Sequence, residues 1–577
     1  MPDEPSSQRE PFRIALVMAG AVSAGAYQAG VIDGLLQALD EFYEAKAAEH
    51  PDAQHDVEIS VISGASAGGM TAALLASVVR RKVAPVKVAK QPGTTANVFH
   101  HAWVERISIE HLLEQNDLEK ESRVLSLLDC TVLDEIAEEV IGETESIPRR
   151  PYFGDDLKLL MSVSNLRGMP YAIDFTSADT DKPSDPNDRR DTHGMLLHKD
   201  HVGYRVDPPT PANDSNDELV YHALPGDDMK ADIWRNLRNG ALASGAFPVA
   251  LKSRAVGRDR SEYDNRRFSI PARSPGVCER AEKIPPTLPD DTPDHLGFSA
   301  VDGGLANNEP LELARETLLG VGVPSHDDWL HATSAVIMID PFPEPPTFDP
   351  HESVRTDIWS VLSRLPRVLI NQSRFKLDEL RMATGPNCNR FLISPSRDVP
   401  PDITKPGITP PHSACAALGS FGGFLHRRFR EHDYELGRHN VRSFLMKHFT
   451  LCEHAELFGG VPGGVHEVSD NQRPIIPLLG SFAHSNDKEP DWPTLPAAEA
   501  RNVLRLEDKL AARLKRVIPR LIDELAIPDP VTKQPTAGFW VRQFLRQGWF
   551  WGRGKATKQI TAKIKQTLLD YNLAKPF

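Results

Sequence analysis

Two strand–turn–helix units near the start of the chain limit its fold more than any other sequence feature. The first joins the apolar run 13–18 (RIALVM) to a small-residue turn, after which apolar residues recur at helical spacing. The second joins the run 57–63 (VEISVIS) to another small-residue turn and a helical run over 71–79. Consecutive units of this kind favour an α/β sheet with parallel strands.

Later apolar runs predict further strands of the same sheet, and polar stretches separate them. Further strands are predicted at 159–163, at 334–339 and in the run ending at Val301. We therefore predict a three-layer α/β/α sheet domain over residues 11–345. Polar, Pro-rich stretches interrupt it and are interpreted as insertions at about 85–155, 178–230 and 252–296.

The sequence changes character near residue 345, and we predict a mainly helical C-terminal region over 346–577. Residues 352–383 have a helical pattern. One apolar face recurs at helical spacing over 503–525, where Pro519 predicts a kink or a break.

The segment Gly64-Ala65-Ser66-Ala67-Gly68 fits the GxSxG pattern of a nucleophile elbow. A nucleophilic serine must stand exposed on a turn so tight that Gly64 and Gly68 cannot carry side chains. Ser66 would also begin the following helix, whose dipole favours negative charge on its oxygen. The alternative is a purely structural turn.

Two other small-residue turns could complete such a site. The first, 20–25 (GAVSAG), could present backbone N–H groups to an oxyanion, or it could bind phosphate, although it has neither GxGxxG nor a P-loop lysine. The second is Asp302-Gly303-Gly304 at the end of an apolar run. Taken alone, Asp302 is better interpreted as a turn residue.

Together and in this order, these blocks resemble the patatin-like phospholipase family. They are AGAVSAGAYQAGV, GASAGG and VDGGLANNEP, and they are joined by ALASGAFPVA (241–250) and MSVSNLRG (161–168). The resemblance covers roughly residues 11–345. It implies a patatin-like sheet domain. It departs at Ala24, where the family's turn commonly has Arg or Lys.

The resemblance also implies the chemistry. Ser66 would be the nucleophile and Asp302 its base, without a histidine. The oxyanion hole would be formed by backbone N–H groups of Gly20, Ala21, Val22 and Ala67, and the motif glycines would be Gly64, Gly68, Gly303 and Gly304. The implied activity is a serine carboxylic-ester hydrolase acting on acyl lipids, as in lipid degradation, through an acyl-serine intermediate and without metal or organic cofactor.

Three alternatives remain open. The same dyad could transfer the acyl group to an alcohol, and a protein with this fold could bind or scaffold lipids without catalysis. A Ser–His–Asp triad would need a histidine after Asp302, and His426, His432 and His439 follow it.

Charge and composition limit partners and compartment. The net charge of −14 argues against non-specific nucleic-acid binding. Five cysteines without a CxxC pair predict neither a disulfide framework nor a zinc cluster. The N-terminus lacks the pattern of a signal peptide, and no apolar window is long enough to span a membrane. We expect a cytoplasmic protein.

The C-terminal segment combines aromatic and basic residues, namely Trp540, Trp549, Phe550 and Trp551 among several Arg and Lys. This composition is typical of a helix at a membrane interface, and equally of a helix docked on the rest of the protein. We therefore expect docking, with peripheral membrane contact as the alternative.

Overall fold

The fold is that of a computed structural model. It describes residues 10–86, 97–141, 147–174, 192–208, 221–225, 232–264, 266, 268–270, 282–320, 330–342, 356–357, 368, 390–399, 411–459, 471–484, 488–527 and 539–576.

The strands found in these described ranges belong to one large sheet and two small ones. The large sheet contains β1 (Phe12–Met18), β2 (Val57–Ala65), β3 (Phe153–Asp174), β4 (Thr192–Val206), β5 (His222–Leu224), β6 (Arg254–Asp259), β9 (His295–Asp302), β10 (Ser334–Ile339) and β11 (Arg390–Ile393). The small sheets pair β7 (Phe268–Ile270) with β8 (Glu282–Ile284) and β12 (Thr450–Cys452) with β13 (Gln472–Pro474).

The helices precede, follow and separate these strands. They are α1 (Gly25–Ala47), α2 (Ala67–Ser77), α3 (Val98–His100), α4 (Ile109–Leu112), α5 (Asn116–Lys120), α6 (Thr131–Val140), α7 (Asp232–Ser244), α8 (Arg260–Asp264), α9 (Leu311–Leu319), α10 (Ala417–Ser420), α11 (Gly422–Leu425), α12 (Arg427–Lys447), α13 (Gly480–Ala483), α14 (Ala497–Leu504), α15 (Leu506–Glu524) and α16 (Phe539–Asp570).

The centre of the large sheet is parallel, as the two N-terminal units predict. Its order is β11-β10-β1-β2-β3-β4-β5, and the strands from β11 to β3 pair in parallel. Strand β4 is antiparallel to β3, and β9 pairs in antiparallel fashion with the middle of β3, at residues 163–165. The sheet therefore places the ends of β2 and β9 beside the same strand.

Side chains of β1 alternate between two apolar layers. Ile14 and Leu16 enter the main core, whereas Ala15 and Val17 enter a smaller core that also contains Ala314 of α9. Because alternate residues of a strand point to opposite faces, helices must cover both sides of the sheet. The predicted three-layer α/β/α architecture is confirmed.

Several sequence interpretations change in detail. Residues 192–206 and 254–259, interpreted as parts of insertions, form β4 and β6. Pro519 lies inside one helix, α15, rather than between two. The helix predicted over 352–383 lies almost entirely outside the described residues.

The C-terminal region is largely helical and packs closely on the N-terminal half. Strand β11 joins the large sheet, and α12 crosses α1. At this crossing a Cβ on Gly30 would overlap the backbone of Tyr434, and one on Gly437 would overlap that of Tyr27. A buried ion pair links Arg438 to Asp33. The division of the chain at residue 345 stays a prediction.

Candidate active site

Ser66 stands on the sharp turn between β2 and α2. Its φ of 55° and ψ of −129° are unusual for a residue with a side chain, and such strain is typical of functional turns. A Cβ on Gly64 would overlap the carbonyl of Gly68, and one on Gly68 would overlap that of Met18. Both glycines are therefore required by close backbone contacts of the turn.

Asp302 is the last residue of β9, and three backbone contacts fix its position. It lies opposite Val163 of β3, and its N–H donates to the carbonyl oxygen of Ala246 at 2.9 Å. The hydroxyl of Ser164 donates to the Asp302 carbonyl oxygen at 2.8 Å. Its side chain is thus presented from a rigid strand end.

The two side chains meet although 236 residues separate them. The Ser66 hydroxyl donates to Oδ2 of Asp302 at 2.6 Å. The other carboxylate oxygen, Oδ1, accepts the N–H of Gly304 at 2.7 Å. Ser66 is 7% exposed and Asp302 is 4% exposed. Burial raises the pKa of Asp302 to about 6, although the hydrogen bonds from Ser66 and Gly304 oppose this rise.

A second serine, Ser244, supports the elbow from the end of α7. The backbone N–H of Ser66 donates to the Ser244 Oγ at 3.1 Å, and the Ser244 hydroxyl donates to the Ser162 carbonyl oxygen at 2.7 Å. Ser244 lies within the block ALASGAFPVA, but no local pattern gives it a role. Its contacts with Ser66 and Ser162 form only when α7 packs beside β2 and β3.

The small-residue turn after β1 lies against Ser66. A Cβ built on Gly20 would be 3.4 Å from the Ser66 Cβ and would overlap the Asn308 side chain. The Gly20 N–H donates to the Asn308 carbonyl oxygen at 3.0 Å, and Val22 has a φ of 48°. Ala21, in the same turn, is buried. Four backbone N–H groups were predicted to form the oxyanion hole. The N–H of Gly20 already donates to Asn308, so it is not free to bind an oxyanion.

Gly303 and Gly304, which follow Asp302, also lie too close to neighbouring atoms to carry a side chain. A Cβ on Gly303 would overlap the Ser162 carbonyl, and one on Gly304 would lie 2.7 Å from Oδ1 of Asn308. Asn308 thus contacts both the Gly20 turn and the Asp302 turn. Asn308 lies within the block VDGGLANNEP, but no local pattern gives it a role, because its position depends on the fold.

The C-terminal region contacts the small-residue turn through Ser23. The Ser23 hydroxyl donates to the Ser420 carbonyl oxygen at 2.6 Å, and the Gly423 N–H donates to the Ser23 Oγ at 3.0 Å. The neighbouring Ala24, at the position where Arg or Lys is common, is completely buried.

Two of the three histidines considered for a triad, His426 and His432, contact other residues. The His426 ring accepts the N–H of Arg428, and the His432 ring contacts Asp433 at 2.7 Å and Arg397 at 2.6 Å. Within the described ranges no cluster of three His, Cys, Asp or Glu side chains could hold a metal ion. None of the described helices combines the length and apolar content of a membrane-spanning segment.

Comparisons with known proteins give one family match and two similar proteins. Residues 16–315 match the family model of the patatin-like phospholipases. The uncharacterized protein y4iI of Sinorhizobium fredii (strain NBRC 101917 / NGR234) is 35% identical over 560 residues, which cover 88% of this chain and 76% of that protein. The match to VipD from Legionella pneumophila has a TM-score of 0.20 and 12% identity, covering 100% of this chain and 94% of that one.

The family match spans both predicted catalytic residues, Ser66 and Asp302. It supports lipid ester hydrolysis as the general activity. The chain belongs to the patatin-like phospholipase family.

Proposed function

We propose that this protein hydrolyses carboxylic esters of lipids through an acyl-serine intermediate, with Ser66 as nucleophile and Asp302 as base. The observation that carries the proposal is the 2.6 Å hydrogen bond from the Ser66 hydroxyl to Asp302 on an elbow. A serine hydroxyl needs an adjacent base to attack a carbonyl. With its pKa raised to about 6, Asp302 is a stronger base than an ordinary carboxylate and is still mostly ionised at neutral pH.

The reaction has two halves that use the same groups. In the first, Ser66 Oγ bonds to the ester carbon and its proton passes to Asp302; the bond from that carbon to the alcohol oxygen then breaks, and Asp302 gives the proton to the departing alcohol. In the second, water gives a proton to Asp302 and attacks the acyl carbon, and the released Ser66 Oγ recovers that proton. Backbone N–H groups of Ala21, Val22 and Ala67 receive the negative carbonyl oxygen, with Ala67 supplying an N–H of the first helical turn.

The test compares turnover of phospholipid and of p-nitrophenyl butyrate by the parent, Ser66→Ala and Asp302→Asn. Both variants should lose on the order of 10³-fold or more in kcat. A fluorophosphonate probe should label Ser66 in the parent, as located by mass spectrometry. Equal turnover by the parent and Ser66→Ala would refute the assignment.

Acyl transfer to an alcohol is a second candidate, and the low exposure of Ser66 (7%) and Asp302 (4%) favours it. Transfer requires that water reach the acyl-serine slowly. Adding glycerol to the assay measures the partition between acylglycerol and free acid. A parent protein that neither turns over ester nor takes the probe would instead indicate a lipid-binding or scaffolding role.

We also propose that the protein resides in the cytoplasm, in part at the membrane surface, where α16 makes the contact. Val541 and Leu545 on this helix are exposed (52% and 39%). Apolar residues with neighbouring cations suit an interface. Val541→Glu/Leu545→Glu should reduce cosedimentation with anionic vesicles, whereas Met446→Glu, an exposed site on α12, should not. Equal cosedimentation of all three proteins would exclude this contact.

A further inference from the structure

An apolar groove, here called the C-terminal groove, lies outside the catalytic pair. Its volume is about 430 Å³, within the range of ligand sites. Its walls come from helices α14, α15 and α16 and from residues 418–425. Ile109 and Leu113, at the two ends of α4, and Leu128 complete them. Most of its lining is aliphatic or aromatic, including Leu128, Phe421, Leu425, Leu510 and Ile564.

The wall of the groove contacts the segment that lies on the Asp302 side of the site. Ala246, whose carbonyl accepts the Asp302 N–H, is followed by Phe247, whose ring centroid lies 6.1 Å from that of Phe421. Leu128, also in the groove wall, donates its N–H to the carbonyl of Ala250 at 3.0 Å. The segment that carries Ala246 therefore contacts the groove at two points.

A second connection runs from the small-residue turn. The Ser23 hydroxyl donates at 2.6 Å to the carbonyl oxygen of Ser420, which directly precedes Phe421. Leu418 and Ser420 have positive φ values of 55° and 75°. The backbone of this part of the groove wall is therefore strained, and surrounding contacts must hold it in place. Phe421 is thus held between the turn beside Ser66 and the loop beside Asp302.

We infer that the C-terminal groove binds the acyl chain of the ester that Ser66 attacks, and that the substrate is a long-chain acyl ester. The inference rests on the proposed function, because the chain attached to the attacked carbonyl must leave the site along a path that accepts methylene groups. We place that path in the apolar groove because its wall at Phe421 contacts segments on both sides of the site, and burying successive methylenes there would stabilise binding. A partner protein helix is the alternative occupant.

The main experiment compares p-nitrophenyl palmitate with p-nitrophenyl butyrate. Leu510→Trp and Ile564→Trp fill the groove, so kcat/KM for palmitate should fall about tenfold or more, whereas that for butyrate should change less than about twofold. Unchanged butyrate turnover shows that each variant is folded. Met446→Trp is the control, since Met446 is 41% exposed and lies outside the groove.

A milder variant and a binding measurement complete the test. Ile560, which lines the groove and is 43% exposed, can be changed to Ser with little risk to folding, and this should weaken palmitate selectivity by about threefold. Fluorescence of cis-parinaric acid measures chain binding without catalysis. Ser66→Ala should bind this fatty acid as the parent does, and Leu510→Trp should not.

The outcomes separate the two proposals. If the parent hydrolyses neither ester but binds cis-parinaric acid in the groove, the proposed function fails and the chain site stands. If groove-filling variants keep full palmitate selectivity or full fatty-acid binding, the inference is overturned and the groove is left to a protein partner. An equal loss on palmitate and butyrate also overturns it.

Discussion

The backbone N–H of Ser66 donates to Oγ of Ser244, 178 residues further along the chain, at 3.1 Å. Ser244 is completely buried, and its own proton goes to the Ser162 carbonyl. Ser244→Ala leaves both groups without their partner, so we expect a loss of about 1–3 kcal/mol in unfolding free energy. We also expect kcat to fall about tenfold or more, because the elbow loses its support.

The control for Ser244→Ala is Ser63→Ala in β2. Ser63 is equally buried, but its Oγ has no hydrogen-bond partner among the described residues. Its removal should leave kcat within about twofold of the parent. Urea unfolding and ester turnover, measured on both variants, test whether the Ser244 hydroxyl supports the elbow. Equal effects of the two substitutions would show that the Ser244 hydroxyl has no special part.

Activity should depend on the ionisation of Asp302. Its pKa is raised to about 6, and only the ionised form accepts the Ser66 proton. Below pH 6, kcat/KM should therefore rise about tenfold per pH unit, and it should level off above about pH 7. A pH profile on p-nitrophenyl butyrate checks this. A profile that is flat between pH 5 and pH 7 would contradict the role of Asp302 as base.

Asp302→Asn should stabilise the folded protein at neutral pH. Because burial raises the pKa from 3.8 to about 6, the unfolded chain loses this proton before the folded protein does. Stability from Asp302 is thus fully present below about pH 4 and is lost as pH rises to about 6, by up to ~3 kcal/mol. Urea unfolding should show Asp302→Asn more stable at pH 7 and near parity at pH 4. If the difference in unfolding free energy between Asp302→Asn and the parent were the same at pH 4 and pH 7, the ionised Asp302 would not destabilise the fold.

The helix crossing of α1 and α12 should tolerate no side chain at Gly30. A methyl group there would overlap the Tyr434 backbone, and overpacking of this kind costs about 1–3 kcal/mol. Gly554→Ala in α16 is the matched control, since a Cβ there meets nothing within 4 Å, and it should stabilise its helix by up to ~1 kcal/mol. Urea midpoints measure both. A stabilised Gly30→Ala would mean that the helices cross further apart.

Short local patterns explain why the nucleophile elbow could be proposed from the sequence. Ser66 lies between two required glycines after an apolar run, and Asp302 lies before a Gly-Gly turn. The strand predicted at 334–339 has the same bounds in the structure because its residues are apolar and buried on both faces. The elbow and this strand depend on neighbouring residues alone, whereas Asp302 by itself indicates only a turn and becomes a candidate base through the order of the family's motifs.

Other features depend on distant parts of the chain, so local patterns could not reveal them. Ser244 and Asn308 acquire their positions only when α7, β9 and the Gly20 turn come together. Strand β4 was missed because its sequence, THGMLLHKDHVGYRV, is rich in histidine and charged residues and continues a polar stretch. The C-terminal groove needs helices that are separated by hundreds of residues in the chain.

The position of β11 has a consequence for synthesis of the protein. Residues 390–393 cover the outer edge of β10, whose sequence SAVIMI is almost entirely apolar. A nascent or truncated chain that ends before them carries both Ser66 and Asp302 but leaves an unpaired, apolar strand edge, which is a template for aggregation. A premature stop in this interval should therefore yield insoluble or chaperone-bound protein rather than a smaller active enzyme.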